Sequence, residues 1–109
     1  MATPESKVKA AVVKLLHKYG AYYFFPATHG YGRSGVPDVV CCVKGKFLAI
    51  ECKAGKNVAT ALQEREMNNI RGAMGHAMVV NEDNMALLEQ VLKELMDVNE
   101  KNNHKASTV

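Results

Sequence analysis

Residues 39–53 constrain the fold of this chain more than any other segment. Residues 39–43 are β-branched or cysteine, and residues 47–53 form a second, largely apolar run that ends with charged side chains. Lys44 and Gly45 stand between the runs, and glycine supplies the positive φ that a two-residue turn requires. The pattern predicts two antiparallel strands joined as a β-hairpin.

The length of the turn decides which side chains face each other across this hairpin. If residues 44 and 45 form the turn, counting outward along both strands places Asp38 opposite Glu51. Directly opposed side chains share a face of the sheet, with Cβ atoms ~4.5–5.5 Å apart. A three-residue turn would send Asp38 to the other face, so the prediction depends on an even-numbered turn.

Alternation along the second strand places Glu51 and Lys53 on one face and Leu48, Ile50 and Cys52 on the other, which should pack on a helix. All three cysteines, Cys41, Cys42 and Cys52, are predicted to pack within the strands and not to bind metal.

Two carboxylates that face each other repel, so a further group should compensate them. A Mg²⁺ ion would do so, because it binds carboxylate oxygens and keeps waters for a phosphate, and Lys53 beside it could orient a water. A salt-bridge cluster of Asp38, Lys53 and Glu51 on a solvated face is the alternative. Charge and alternation alone do not decide between the two.

Helix caps and apolar spacing predict the elements on either side of the hairpin. Thr3 and Pro4 begin a helix that Gly20 ends. Residues 21–25 form a short aromatic strand, and the glycine-rich residues 28–35 form a loop.

Thr60 and Gln63 have the spacing of a capping box and begin a second helix. Residues 76–80 form a short strand, and Asn81 or Asp83 caps a last helix. The order α-β-β-β-α-β-α predicts a small α/β domain, with a mixed sheet flanked by helices. We expect one domain over residues 1–98 and a frayed polar tail over 99–109.

Composition excludes several classes of protein. The 109 residues are 48% hydrophobic and 23% charged, which is typical of a globular domain and not of a disordered chain. No apolar run reaches the ~20 residues of a membrane helix, and residues 1–9 lack the apolar core of a secretion signal. The three cysteines include no C-x-x-C pair, which favours a reducing cytoplasm.

Charge is distributed unevenly along the chain. Residues 1–71 carry 11 basic and 5 acidic side chains, a net charge of +6, whereas residues 72–109 carry 3 and 6, a net charge of −3. A basic segment suits a polyanion such as nucleic acid. On charge alone, an ordinary solvated surface is the simpler interpretation.

The motif residues resemble those of a known nuclease family. Pro37-Asp38, then twelve residues, then Glu51-Cys52-Lys53 is the pattern of the PD-(D/E)xK nuclease core. With Gly35, Gly45, Gln63 and Gly75 in their order, residues 4–95 resemble the virus-type replication–repair nuclease (VRR-NUC) domain, whose core is restriction-endonuclease-like.

The resemblance implies roles for six residues. These are Asp38 and Glu51 as metal-binding carboxylates, the backbone carbonyl of Cys52 as a further ligand, Lys53 as the catalytic lysine that orients or activates the attacking water, Gln63 as the support of that water or of the lysine, and Glu5 as an additional acid and possible ligand. For Glu5 the alternative is an ordinary first-turn glutamate favoured by the helix dipole. For Gln63 the alternative is helix capping, and the two roles are compatible.

The activity implied by the resemblance is that of a structure-selective DNA endonuclease dependent on Mg²⁺ or Mn²⁺. Small stand-alone members resemble Holliday-junction resolvases and act as homodimers, so branched DNA and a second copy are the implied partners. A phage origin, in the cytoplasm of the host cell, would suit so short a chain. The alternatives are a non-catalytic DNA-binding module, or a nuclease that cuts flaps, single strands or duplex DNA.

Several basic side chains are candidates for phosphate contacts, and a tyrosine is a candidate for stacking on an unpaired base. They are Lys7, Lys14, Lys18, Arg33, Lys44, Lys46, Lys56, Arg65 and Arg71, together with Tyr31. For Tyr31 an ordinary exposed loop residue is the alternative, and His29 in the same loop is not expected to bind metal. The aromatic residues 22–25 are candidates for either a dimer interface or the core.

Overall fold

The structure, a computed structural model, describes residues 2–27 and 34–97 and confirms the predicted order of elements. The elements are α1 (Pro4–Lys18), β1 (Tyr22–Phe24), β2 (Val39–Val43), β3 (Lys46–Cys52), α2 (Ala61–Gly72), β4 (His76–Val80) and α3 (Met85–Asp97). Most of the predicted loop, with His29, Tyr31 and Arg33, and the predicted tail lie outside the described residues, so the domain boundary at residue 98 stays a prediction. None of the described helices is long and apolar enough to cross a membrane.

The four strands form one mixed sheet, as predicted, and their order in it is β1-β2-β3-β4. The first three are antiparallel neighbours, whereas β3 and β4 are parallel. A parallel pair requires a crossover, and α2 provides it, because it lies between β3 and β4 in the chain and contacts both strands.

The hairpin has the predicted two-residue turn and the predicted register. Lys44 and Gly45 have φ values of +51° and +84°, the signs that a type I′ turn requires at both positions. The β2–β3 ladder runs from Val43 opposite Lys46 to Val39 opposite Ile50. It ends there because the next residues toward the N-terminus include Pro37, which has no N–H to donate.

The hydrophobic core lies on one face of the sheet, beneath α1 and α3. The buried side chains on that face include Val8, Val12 and Leu16 of α1, Leu88, Leu92 and Leu95 of α3, and Cys41, Leu48, Ile50 and Cys52 of the strands. This burial confirms the predicted packing face of β3. Helix α2 contacts β3 and β4 from the other face, which leaves the β1–β2 half of that face uncovered by any described element.

Two local predictions were wrong. Cys42 is exposed instead of packed, because alternation along β2 turns it to the uncovered half of the sheet. Helix α3 begins at Met85, so neither Asn81 nor Asp83 caps it directly. The Asn81 Oδ1 instead accepts hydrogen bonds from the backbone N–H groups of Asp83 and Asn84, which closes a separate turn before the helix.

Gly35 holds the start of β2 against α2. Its φ is +77°, and a Cβ built there would lie 2.5 Å from the backbone carbonyl of Leu62 in the first turn of α2. Any larger residue would push the two segments apart. The glycine therefore allows the backbone just before Asp38 to approach the turn of α2 that carries Gln63.

Candidate active site

The end of β3 and the segment before β2 meet at one corner of the sheet, because the two strands are antiparallel. Asp38 directly precedes Val39, the last residue of the β2–β3 ladder, and its charge lies close enough to Glu51 to raise the pKa of that carboxyl. In place of a ladder bond, the Asp38 Oδ2 accepts a hydrogen bond of 3.0 Å from the backbone N–H of Cys52. The structure thus brings together the two carboxylates that the hairpin register predicts.

Glu51 is a buried carboxylate at this corner, with 2% of its surface exposed. Its Oε2 accepts a hydrogen bond of 2.9 Å from Gln63 Nε2 and lies 3.5 Å from the ammonium of Lys53. Its Oε1 is buried and has no hydrogen-bond partner among the described residues. Such an oxygen is costly unless another group binds it.

Burial raises the pKa of Glu51 to about 7, because the ionised form loses its hydration. The charge of Asp38 raises this pKa further, Lys53 opposes the shift, and Glu5 adds a smaller increase. Near neutral pH, Glu51 is therefore poised between its neutral and ionised forms.

Gln63 joins the beginning of α2 to this carboxylate and has the predicted capping role. Its support of the attacking water or of Lys53 stays a prediction. Its Oε1 accepts a hydrogen bond of 2.8 Å from the backbone N–H of Thr60, whose hydroxyl accepts one of 3.2 Å from the Gln63 N–H. This capping box orients the amide so that Nε2 is left to donate to Glu51. The helix cap and the support of the acid are thus one arrangement.

The first turns of α1 form the opposite wall of the corner. A cavity of about 200 Å³ is lined by Thr3, Glu5, Ser6, Lys9, Asp38 and Cys52. Glu5 lies close enough for its charge to raise the pKa values of Glu51 and the Cys52 thiol. Sequence reasoning identified Glu5 but missed Lys9, although its position four residues later places both on one side of the helix.

The donor groups at this corner suit a hard divalent cation. Asp38 and Glu51 offer carboxylate oxygens, which Mg²⁺ prefers, and the buried Oε1 of Glu51 has no hydrogen-bond partner among the described residues. Burial raises the pKa of the Cys52 thiol to about 12, so this sulfur stays protonated and is a poor ligand. Among the described residues, no three His, Cys, Asp or Glu side chains are placed to hold one ion. Mg²⁺ is commonly held by one or two carboxylates and several waters, so Asp38 and Glu51 are sufficient protein ligands. The Cys52 carbonyl and Glu5 stay predicted ligands.

Not all of the predicted phosphate contacts are available at this corner. Lys18 forms a 2.7 Å ion pair with Glu89 at the far end of α1, and Arg71 donates hydrogen bonds to Asn68 and Ala77. Lys7 and Lys14 are exposed, but helical periodicity places them on the side of α1 opposite Glu5.

Lys56 and Arg65 are exposed in the loop after β3 and on α2, and their contact with DNA stays a prediction. So does that of Arg33 and Tyr31, which lie outside the described residues.

Replacement of Glu51 by glutamine should change how stability depends on pH. An unfolded glutamate has an ordinary pKa near 4.3, whereas folding raises that of Glu51 to about 7. Between these values the folded state binds more protons than the unfolded state, so stability falls as pH rises, by about 4 kcal/mol in all. Without metal, we expect Glu51→Gln to be more stable than wild type at pH 8, but not at pH 4.

Urea unfolding in EDTA at several pH values measures this difference. Glu94→Gln, which changes an exposed residue of α3, should keep the wild-type pH dependence. If the Glu51→Gln variant lost stability with rising pH as steeply as wild type, the buried carboxylate would not be the cause of this pH dependence.

Comparison with known proteins gives the same fold. No protein-family model matches the sequence, and neither does any curated protein. A solved structure described as a VRR_NUC domain superposes with a TM-score of 0.64 and 20% sequence identity, over 88% of this chain and 97% of that one. The Holliday-junction resolvase Hjc from Archaeoglobus fulgidus superposes with a TM-score of 0.53 and 25% identity, over 71% of this chain and 65% of its own.

These likenesses agree with the features already derived from the chain itself. The element order, the mixed four-stranded sheet and the flanking helices are those of a restriction-endonuclease-like core. By its fold, the chain is similar to a VRR_NUC domain.

Proposed function

We propose that the domain hydrolyses DNA phosphodiester bonds with Mg²⁺ or Mn²⁺ held by Asp38 and Glu51. The observation that carries this proposal is the buried Glu51, whose Oε1 has no partner among the described residues and which lies beside Asp38 and Lys53. A salt bridge alone would leave that oxygen unsatisfied. The nuclease fold supports the same conclusion.

Each residue of the corner has a task in hydrolysis. The bound metal would polarise the scissile phosphate and lower the pKa of a water. Lys53, whose ammonium lies 3.5 Å from Glu51, orients the attacking water for an in-line displacement and stabilises charge on the phosphate oxygens. Gln63 fixes the Glu51 carboxylate through its 2.9 Å hydrogen bond. Water attacks directly, so no covalent enzyme intermediate forms.

Branched DNA is the substrate that we propose, on the model of a Holliday-junction resolvase. The likeness to Hjc and the net charge of +6 in residues 1–71 support this choice. Such a substrate agrees with a cytoplasmic location, in a host cell if a phage encodes the protein.

A second copy of the chain is the partner that we propose for the uncovered half of the sheet. This exposed face consists of Tyr22 and Phe24 of β1, Val40 and Cys42 of β2, and Phe47 of β3. Tyr22 pairs with Cys42, Cys42 pairs with Phe47, and Phe24 pairs with Val40, so the five side chains are contiguous.

The exposed fractions are 70% for Tyr22, 48% for Phe24 and 44% for Phe47. At about 200 Å² for each aromatic side chain, these three leave roughly 300 Å² of apolar surface in water. A stable interface buries about 800 Å² on each partner, so the exposed face would form its apolar centre.

The position of the exposed face favours a symmetric dimer. Phe47 and Glu51 are four residues apart on β3, so alternation places them on the same side of the sheet. A two-fold axis through this side would turn both acidic corners toward one substrate. A four-way junction has two-fold symmetry, and two symmetric cuts require two sites.

Cleavage of labelled DNA tests the proposed activity. A four-way junction, a flap, a duplex and a single strand would each be incubated with Mg²⁺, Mn²⁺ or EDTA. We expect paired symmetric cuts in the junction with either metal, none in EDTA, and a loss of about 100-fold or more in a Lys53→Met variant. Lys93→Met, an exposed change on α3, is the control that should cleave normally.

Cuts in flaps, single strands or duplex would retain the chemistry and contradict the junction preference. Tight DNA binding without cleavage in either metal would contradict the enzyme and leave the alternative of a DNA-binding module.

The oligomeric state tests the dimer separately. Light scattering should give twice the 11.9 kDa of the chain for wild type, and a Tyr22→Lys variant should be monomeric, because it places a charge in the apolar centre. Val58→Lys changes an exposed residue of the β3–α2 loop and should remain dimeric. A monomeric wild type, or a dimer that survives Tyr22→Lys, would contradict the proposed interface.

A further inference from the structure

Lys9 is a cation at the acidic corner that no motif marks. It lies on α1 one turn after Glu5, and it lines the 200 Å³ cavity together with Glu5 and Asp38. Its side chain is half-buried, unlike those of the exposed Lys7 and Lys14 on the opposite side of the helix. The fold therefore directs Lys9 toward the site, and Lys7 and Lys14 away from it.

An aromatic ring, not a carboxylate, holds the Lys9 ammonium. Its Nζ lies 4.3 Å from the centroid of the Phe25 ring, a cation–π contact. In the described part of the chain, the ion pairs within 4.0 Å join Lys18 to Glu89 and Lys53 to Glu51, and none involves Lys9. The Lys9 charge is thus positioned without being neutralised.

A positive charge at this cavity would offset the repulsion between the nearby carboxylates and a DNA phosphate. Glu5, Asp38 and Glu51 surround this corner with negative charge, which repels a DNA phosphate. Lys53 lies on the β3 side and already contacts Glu51. A cation on the α1 side would attract the phosphate from the other wall of the cavity.

We propose that Lys9 binds a backbone phosphate of the DNA at the mouth of this cavity, and that Phe25 positions its ammonium. The inference rests on the proposed nuclease function and adds to it a substrate-binding residue. Because Lys9 acts on the substrate and is not a metal ligand, its loss should weaken the affinity for DNA without weakening the affinity for metal.

The decisive variant is Lys9→Met, which keeps the length of the side chain and removes its charge. For junction cleavage we expect KM to rise about tenfold with kcat little changed, since a lost charged contact of this kind weakens binding by about that factor. Lys9→Arg should restore the wild-type KM, because it keeps the charge over the ring. Phe25→Leu, which removes the ring that positions the ammonium, should raise KM by about threefold. Lys93→Met is the matched charge control on α3.

Two binding measurements separate this role from a structural one. In a Lys53→Met background, loss of Lys9 should make the dependence of junction affinity on salt shallower by about one unit of log–log slope, because one phosphate contact is lost. Without DNA, Lys9→Met should bind Mn²⁺ as tightly as wild type or more tightly, because a positive charge beside the carboxylates is removed.

Unchanged KM and salt dependence in Lys9→Met would overturn the assignment while leaving the nuclease intact. A parallel loss of Mn²⁺ and DNA affinity would also overturn it, because that result indicates a damaged site. Absence of cleavage by wild type would instead contradict the proposed function, and the salt dependence of binding would still test the Lys9 contact.

Discussion

The burial of one carboxylate, that of Glu51, is the constraint on which the rest of the site depends. The β2–β3 register places Asp38 beside it, and Lys53 follows it on the same face of β3. The capping box of α2 supplies the amide of Gln63. Lys53 and Gln63 both contact Oε2, which leaves Oε1 without a partner among the described residues. The corner is therefore organised around a negative charge that the protein satisfies only in part.

In the proposed function, the buried Glu51 carboxylate lowers the stability of the free protein above pH 7 and would bind a cation in its ionised form. Burial and the charge of Asp38 raise the pKa of Glu51 to about 7, so ionising it in the folded protein is costly. A cation that bound the ionised form would recover that cost and displace the proton. In the proposed function, the carboxylates and Lys53 on the strands would bind the metal, and Lys9 on α1 would bind the DNA from the opposite wall of the cavity.

The sequence was sufficient for features that depend on local periodicity and on turn length. Two residues between the strands predict the register, and the register predicts the neighbours Asp38 and Glu51. Which faces are covered depends on tertiary packing, and for that reason Cys42 was wrongly placed in the interior. Lys9 was missed because its proposed role depends on two features that local periodicity does not show. One is the Phe25 ring, which is distant in the chain, and the other is a cavity formed between α1 and the strands.

Carboxyl ¹³C NMR measures the pKa of the Glu51 side chain itself, with and without Mg²⁺. Without metal, we expect a titration midpoint near 7, well above the ~4.3 of an ordinary glutamate. With saturating Mg²⁺, we expect Glu51 to stay ionised to below about pH 5, and Asp38→Asn to weaken this effect. A midpoint near 4.3 in the free protein, or a midpoint that Mg²⁺ does not move, would show that Glu51 is not the buried carboxylate around which the site is built.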